Sequence, residues 1–361
     1  LEKLVMTLPF DPNVFRGKRI LITGDTGFKG SWLALWLSRM GADVWGFALP
    51  PEGEQPHFSL LRLDERITHR DGNMLDIDQV RAVVSDSEPE IIFHLAAQSL
   101  VKRSYADPKL TFDTNIGGGV NLLDVMRDAP SVKALVFITS DKCYLNKEWD
   151  WGYRETDELG GLDPYSASKA AAEIVFKAYA ASFLDSRDDL GLATTRAGNV
   201  IGGGDWAADR IVPDCIRALG KSEPIRIRMP QATRPWQYVL EPLSGYLTLA
   251  AKLLQDPKRY GGAWNFGPGE DSVRTVHQLV DQLVGHWGSG DVIVDTPPDQ
   301  AYEATLLHLS IDRARNRLAW RPQWSVDRAV EECAIWYKAV LEGSDAYTVS
   351  ARQIDAYMSG E

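Results

Sequence analysis

Ser140, Asp141 and Lys142 stand side by side in the string Ile138-Thr139-Ser140-Asp141-Lys142-Cys143-Tyr144, directly after the apolar run Ala134-Leu135-Val136-Phe137. A hydroxyl, a carboxylate and an amine at the end of a buried strand can exchange protons with one small molecule. A second candidate pair follows in Asp163-Pro164-Tyr165-Ser166-Ala167-Ser168-Lys169. Asp163 is a capping residue and Pro164 suits the first helical position, so a helix opens here. Tyr165 and Lys169, at i and i+4, then share one face. A neighbouring ammonium favours phenolate, so the pair is expected to bring the tyrosine down toward the range of a general base. Tyr–Lys at this spacing is also common surface decoration; the strand-end serine and a third motif raise it to a chemical candidate.

That third motif is Gly24-Asp25-Thr26-Gly27-Phe28-Lys29-Gly30, lying between a strand-like and a helix-like run. Glycines at this spacing permit a tight turn and let a pyrophosphate approach backbone N–H groups at a helix N-terminus. The spacing is GxxGxxG, and an ordinary glycine-rich turn is the competing reading. The next strand-like run ends in Phe47-Ala48-Leu49-Pro50-Pro51, with neither the carboxylate that usually holds the ribose of NAD nor a cation for the phosphate of NADP. NAD is the expected cofactor, with its adenosine end held in another way. Asp71, Gly72 and Asn73 are candidates for that end, although Asp-Gly-Asn is also ordinary turn chemistry. Cys143 has no histidine partner nearby and is read as a core thiol. His94, in Ile91-Ile92-Phe93-His94-Leu95-Ala96-Ala97, is read as a satisfied histidine at a strand end.

The elements needed to position these residues are visible in the periodicity. KRILITG, ADVWGFAL, EIIFHLAA and KALVFITS read as apolar strands, separated by the helical runs SWLALWLSRMG, DIDQVRAVVSD and NIGGGVNLLDVMRD and followed by PYSASKAAAEIVFKAYAASFL. Such alternation specifies an α/β fold: a doubly wound parallel sheet of Rossmann type, with helices on both faces. LATTRAGNVIG reads as a further strand leaving that layer. After about Asn199 the texture changes: Gly202-Gly203-Gly204 and EPIRIRMPQATRPWQ break the alternation before helical runs return. The expected division is a dinucleotide-binding domain over 15–199, joined by parts of 235–265. Residues 200–361 mainly form a smaller α/β substrate domain.

Composition narrows the function classes. The chain has 361 residues, 44% apolar and 25% charged, with a formal net charge of −11. That charge argues against a nucleic-acid polymer or an anionic membrane as the main partner. Cys143, Cys215 and Cys333 form no CxxC pair, and the six histidines lack metal-ligand spacing, so neither a disulfide framework nor a metal site is expected. No run reaches the roughly 18 apolar residues of a membrane span, and the first residues lack the pattern of a secretory signal. Cytoplasmic residence is the expectation.

Together, Gly24-x-x-Gly27-x-x-Gly30, His94-Leu95-Ala96-Ala97-Gln98, Asn115, Ser140 and Tyr165-x-x-x-Lys169 resemble an extended short-chain dehydrogenase/reductase over nearly the whole chain. TSDKCYLNKEW, DPYSASK, RAGNVIGGGDWAADRIVPD and RPWQYVLEPLSGYL are more specific. They resemble the nucleotide-sugar 4,6-dehydratases of that superfamily, in the branch acting on CDP-glucose. The resemblance implies that Tyr165 removes the C4 hydroxyl proton while hydride passes to NAD. It has Ser140 bond that hydroxyl and Lys169 support Tyr165 and the nicotinamide ribose. Oxidation at C4 acidifies the C5 proton; Lys142 would take it and Asp141 would protonate the departing C6 hydroxyl. An ordinary Asp–Lys pair carries the opposite charges, so the two roles stay exchangeable at this point.

The resemblance also implies cofactor contacts from Gly24, Thr26, Gly27, Phe28, Lys29, Gly30, Leu95, Ala96, Ala97 and Asn115, and substrate contacts from Gln98, Asn199, Arg210, Arg226, Arg234 and Glu303. Arg234 is suited to a diphosphate by its paired donors. Backbone donors of Gly202–Gly204 are candidates for the same diphosphate, while Trp206 and Trp236 are read as core. The implied partners are CDP-glucose and a second copy of the chain, paired through helices near 107–127 and 165–183. Two rival readings stand beside this one. A sugar-nucleotide epimerase or reductase would need no elimination pair, and a silent dinucleotide sensor would not need Ser140, Tyr165 and Lys169 intact.

Overall fold

A computed structural model describes residues 8–269, 272–295 and 307–360. Strands β1 (Arg19–Thr23), β2 (Asp43–Ala48), β3 (Thr68–Asp71), β4 (Ile91–His94), β5 (Ala134–Ile138) and β6 (Gly191–Ala197) enter one parallel sheet. Its order is β3-β2-β1-β4-β5-β6, closed at the far edge by β10 (Gly262–Phe266). Every residue of β4 and β5 is buried, as expected of strands covered on both faces. The strand order reverses between β1 and β4, the place where such sheets open a crevice for ligands. Register brings the strand ends together there: Thr23 lies beside His94, His94 beside Phe137, and Ile138 beside Thr195. The loops after β1, β4, β5 and β6 therefore leave from one rim.

The run LATTRAGNVIG divides at Gly198. Its first part is β6 in the main sheet; its second, β7 (Asn199–Ile201), starts a three-stranded sheet with β9 (Thr233–Tyr238) and β11 (Val273–Thr275). A separate pair joins β8 (Ile225–Ile227) to β12 (Val292–Val294). The helix Ala346–Ser359 returns to the first helix, α1 (Phe28–Arg39), although it lies in the stretch assigned mainly to substrate binding. Trp36 donates from Nε1 to Met358 Sδ at 3.2 Å, and Arg39 pairs with Asp355 at 2.6 Å. Glu241 fastens this return from below: its carboxylate accepts the N–H of Trp324 at 2.7 Å and the hydroxyl of Tyr357 at 2.7 Å. One large apolar cluster, including Trp32, Trp36, Trp236, Trp336 and Tyr357, runs from the main sheet into these later elements. Among the described residues, no helix is long and apolar enough to cross a membrane.

Candidate active site

The end of β5 turns at once into a single helical turn, Asp141–Cys143, capped by Ser140. The Ser140 hydroxyl accepts the N–H of Lys142 at 3.2 Å and donates to Asp141 Oδ1 at 2.9 Å. Asp141 is only 4% exposed. Room for its carboxylate comes from Gly198, where a Cβ would lie 2.9 Å from Asp141 Oδ2. Burial raises the Asp141 carboxyl above its usual range, against the opposing charges of Lys142 and Lys29 and the hydrogen bond from Ser140. A buried, readily protonated carboxyl suits an acid. Lys142 is half-buried, and no hydrogen bond of its ammonium is found among the described residues.

Tyr165 closes the cluster from the neighbouring helix, Pro164–Tyr179, buried within reach of the Ser140 hydroxyl. Asp163 caps that helix through the N–H of Ser166 at 3.0 Å, as its position in the sequence predicts. The expected lowering of Tyr165 by Lys169 is not found. Burial pushes the phenol up to about 12; the Ser140 hydrogen bond and Arg210 work against it, while Asp141 and Asp163 add to it. Lys169 is itself brought down to about 8, first by burial and then by the charge of Lys29. A shared helix face was the right geometry, but burial outweighs the neighbouring charge. The cation facing the tyrosine is Arg210, which the sequence had suggested only for substrate.

Behind these residues lies a buried ion pair not anticipated from the sequence. Glu173, one turn beyond Lys169, receives Arg196 Nε at 3.0 Å and Nη2 at 2.9 Å, with both side chains 4% exposed. Thr139 and Thr194 donate to the same carboxylate at 2.5 and 2.8 Å. Because Thr139 directly precedes Ser140, Glu173 clamps the strand end to the tyrosine helix. The sequence gives no sign of this, since the partners come from three separate elements. Asn115 performs a similar task. Its Nδ2 donates to Gln98 O at 3.0 Å and Ser168 Oγ at 2.8 Å, and its Oδ1 accepts from Gln98 N at 2.8 Å.

The glycine loop fits a dinucleotide pyrophosphate. Gly24 has φ +79°, and a Cβ there would lie 2.7 Å from Ala96 N, so the loop meets the Leu95-Ala96-Ala97 segment backbone to backbone. At Gly30 a Cβ would fall 2.1 Å from Gly24 O. Gly27 caps α1 without a side chain, leaving the first-turn N–H groups beyond Phe28 for a ligand. Thr26 is tied to the end of β2 by its hydroxyl, which donates to Leu49 O at 3.0 Å. Lys29 reaches the other way. Burial lowers it to about 8, and the charges of Arg210, Asp141 and Asp205 act on it, so it belongs to the charged surroundings of the reactive cluster. On the adenosine side, Asp71 ends β3, Gly72 packs against Phe47, and Asn73 turns its Oδ1 back to accept the N–H of Leu75 at 3.0 Å.

The substrate candidates divide. Gln98 spends its side chain on Leu100 of its own loop and on Thr111 of the helix Pro108–Phe112. Arg210 is paired with Asp205 at 2.8 Å and also reaches Ser99 Oγ at 3.4 Å. Asn199 and Arg234 lie in the same small sheet, Asn199 being registered with Trp236 two residues beyond Arg234. Arg226, on β8 of the separate two-stranded pair, is exposed and pairs with Asp295 at 3.3 Å. Glu303 lies outside the described residues. The glycine run is corrected: Gly203 and Gly204 exist for packing, since Cβ atoms there would meet Trp336 at 2.0 Å and His57 at 2.3 Å. Their neighbourhood faces inward, with Gly203 O accepting from Trp32 Nε1 at 2.9 Å and Gly202 O from the Tyr337 hydroxyl at 3.2 Å.

Trp206 and Trp236 belong to the core or pack on it, Trp206 edge-on to Tyr337. His94 is buried 2.7 Å from Thr23 Oγ1 and Cys143 is a buried thiol that burial pushes well up, as expected of both. No group of three or more metal-ligating side chains occurs among the described residues.

The family model described as GDP-mannose 4,6 dehydratase matches residues 21–333. The chain belongs to that dehydratase family. A curated CDP-glucose 4,6-dehydratase from Salmonella typhimurium is 43% identical over 353 residues, covering 97% of this chain and 98% of that protein. Among solved structures, UDP-glucose 4-epimerase from Thermotoga maritima with UDP-glucose superposes at a TM-score of 0.77, with 22% identity over 89% of this chain and 99% of that one. A dTDP-glucose 4,6-dehydratase from Bacillus anthracis in complex with NAD gives 0.73, with 20% identity over 90% and 98%. Those two similarities establish the shared Rossmann-type fold. Within this dehydratase-family fold, the rim loops of the sheet bring Ser140, Asp141, Tyr165, Lys29 and Arg210 to one place.

Proposed function

We propose that the protein is an NAD-dependent nucleotide-sugar 4,6-dehydratase acting on CDP-glucose to give CDP-4-keto-6-deoxyglucose. The observation that carries this reading is the cluster of Tyr165, Ser140 and Asp141, in which Ser140 hydrogen-bonds Asp141 and acts on the Tyr165 phenol, joining a redox tyrosine to a buried acid. An epimerase needs the first two groups; only elimination gives the third something to do. The CDP preference is supported by the similarity to the Salmonella enzyme, which spans nearly the whole of both chains.

NAD, when bound, supplies the hydride acceptor for C4 and the hydride donor for C6. Gly24, Gly27 and Gly30 would cradle its pyrophosphate, and Lys169 would help hold the nicotinamide ribose. Tyr165 takes the C4 hydroxyl proton, with Ser140 orienting that hydroxyl and Arg210 favouring the phenolate. The resulting ketone makes the C5 proton acidic. Lys142 removes it, and Asp141, whose burial favours the protonated form, delivers a proton to the C6 hydroxyl as it leaves. Asn199 and Arg234 hold the diphosphate. Exposed apolar residues on and just beyond the tyrosine helix, Ile174 and Phe183, support pairing of two copies through that face.

Incubation with CDP-, dTDP-, GDP- and UDP-glucose, followed by the ultraviolet absorbance of the keto sugar in base, tests the reading. Product from CDP-glucose is expected. Product from another nucleotide alone overturns the CDP assignment, and C4 inversion without loss of water overturns the dehydratase.

A further inference from the structure

The loop after β7 holds a buried carboxylate that the sequence did not single out. Asp205 follows the Gly202–Gly204 run and is 4% exposed. Its main chain is fixed on both sides. Gly204 before it has φ +79° and lies against the His57 ring, and the Asp205 carbonyl accepts the Tyr337 hydroxyl at 2.6 Å. Both carboxylate oxygens are spent: Oδ1 accepts the N–H of Ala207 at 3.2 Å, and Oδ2 accepts Arg210 Nη1 at 2.8 Å.

Arg210 is thereby committed along its whole length. Its backbone opens the helix Ile211–Gly220, where its carbonyl accepts the N–H of Asp214 at 2.9 Å. One guanidinium nitrogen is on Asp205, and the other lies 3.4 Å from Ser99 Oγ, in the rim loop that follows β4. The side chain thus spans from the later elements to the rim of the main sheet. Swinging it toward another anion would leave the Asp205 carboxylate, 5% exposed, without a counter-charge, which is strongly unfavourable. The same guanidinium is the cation that works against burial at Tyr165.

We propose that Asp205 is a positioning residue: with Ser99 it holds Arg210 as a fixed charge beside the reacting tyrosine and keeps that guanidinium off the diphosphate. The diphosphate is left to Asn199 and Arg234. The proposal rests on the dehydratase reading, and it assigns the pair Asp205–Arg210 to the rate of the reaction instead of to the binding of the substrate. A charge held in place before the substrate arrives needs no reorganisation when the phenolate forms.

Steady-state kinetics with CDP-glucose and saturating NAD test it through a double-mutant cycle. An opposite charge held close moves an acid by about one unit or more, so Asp205→Asn is expected to lower kcat about tenfold or more. The KM for CDP-glucose changes less than about threefold, because no substrate contact is lost. Ser99→Ala acts in the same direction by less. In an Arg210→Gln background, Asp205→Asn is expected to cost nothing further in kcat, since it acts only through the guanidinium. Fully additive losses show a merely structural Asp205 and overturn the proposal. So does an Arg210→Gln variant with KM raised about tenfold at unchanged kcat, the mark of a diphosphate ligand. If circular dichroism shows Asp205→Asn unfolded, the cycle is run with Ser99→Ala, and the same two outcomes overturn the proposal. If the wild-type protein forms no keto sugar from any nucleotide-glucose, the functional reading falls first and this inference falls with it.

Discussion

Removing the charge of Glu173 tests whether the strand end and the tyrosine helix are held together as described. In Glu173→Gln the shape is kept, but one oxygen becomes an NH2 group in a pocket built entirely of donors. The wild-type carboxylate receives four hydrogen bonds, at 3.0 and 2.9 Å from Arg196 and at 2.5 and 2.8 Å from Thr139 and Thr194. The variant leaves the guanidinium of Arg196, 4% exposed, without a counter-charge. Breaking a buried pair on one side costs about 3–5 kcal/mol, a large share of a typical total of about 5–15. With an unfolding entropy of about 2.1 cal/mol/K per residue, that corresponds to a Tm lower by roughly 4–7 °C for this chain. Urea unfolding followed by tryptophan fluorescence gives the free energy, and a thermal scan gives Tm. Glu173→Met combined with Arg196→Met removes both charges and is expected to recover most of the loss. A single variant within about 1 kcal/mol of wild type would refute the clamp.

Gly198→Ala brings a Cβ to within 2.9 Å of Asp141 Oδ2, so the acid must move; kcat for keto-sugar formation is expected to fall about tenfold or more, and an unchanged kcat removes Asp141 from that step. Lys142→Met is expected to keep C4 oxidation, seen as the 340 nm absorbance of the reduced cofactor, while stopping keto-deoxysugar formation; unchanged turnover removes its role as base. His94 is lowered to about 3, by burial and then by Lys169, so it stays neutral in the fold while the unfolded chain protonates it. Its stabilising share is full above pH 6.5 and is lost as pH falls below that value. His94→Gln should therefore shrink the change in unfolding free energy between pH 7 and 5 by about 2 kcal/mol, and an identical pH slope in the variant would contradict the neutral, buried imidazole.

The parts legible in the sequence are those whose signal is local. Apolar runs such as Ala134–Ile138 are buried on both faces and announce themselves, as does the Asp163-Pro164 start of the tyrosine helix. β3, Thr68-His69-Arg70-Asp71, escaped notice because an edge strand that is half-exposed and wholly polar has no hydrophobic period to detect. In the small sheet, β7 was legible as the end of LATTRAGNVIG, but β9 and β11 were silent. Its strands are short, and what defines them is pairing between residues far apart in sequence. The Gly202–Gly204 run shows a related ambiguity. Glycine signals a backbone approached closely, but not by what; here tryptophan and histidine rings from the core make the approach instead of a phosphate.

The chemistry divides along the same line. Ser140, Asp141 and Tyr165 are legible in the sequence, and the fold brings these three together. Their protonation is set by neighbours that spacing cannot supply. Arg210 comes from the loop before a distant helix, Lys29 from the cofactor loop, and Gly198 from the break between two sheets. The i, i+4 rule located Lys169 correctly and misjudged its influence, because a lysine buried on a helix face loses its own charge before it can stabilise another group's. Asp141 gains from the same burial: the desolvation that weakens Lys169 as a field source is what makes a carboxyl beside a lysine serviceable as an acid. Acid strength at this site is therefore a balance between the burial that raises the Asp141 carboxyl and the charges of Lys142 and Lys29 that oppose it.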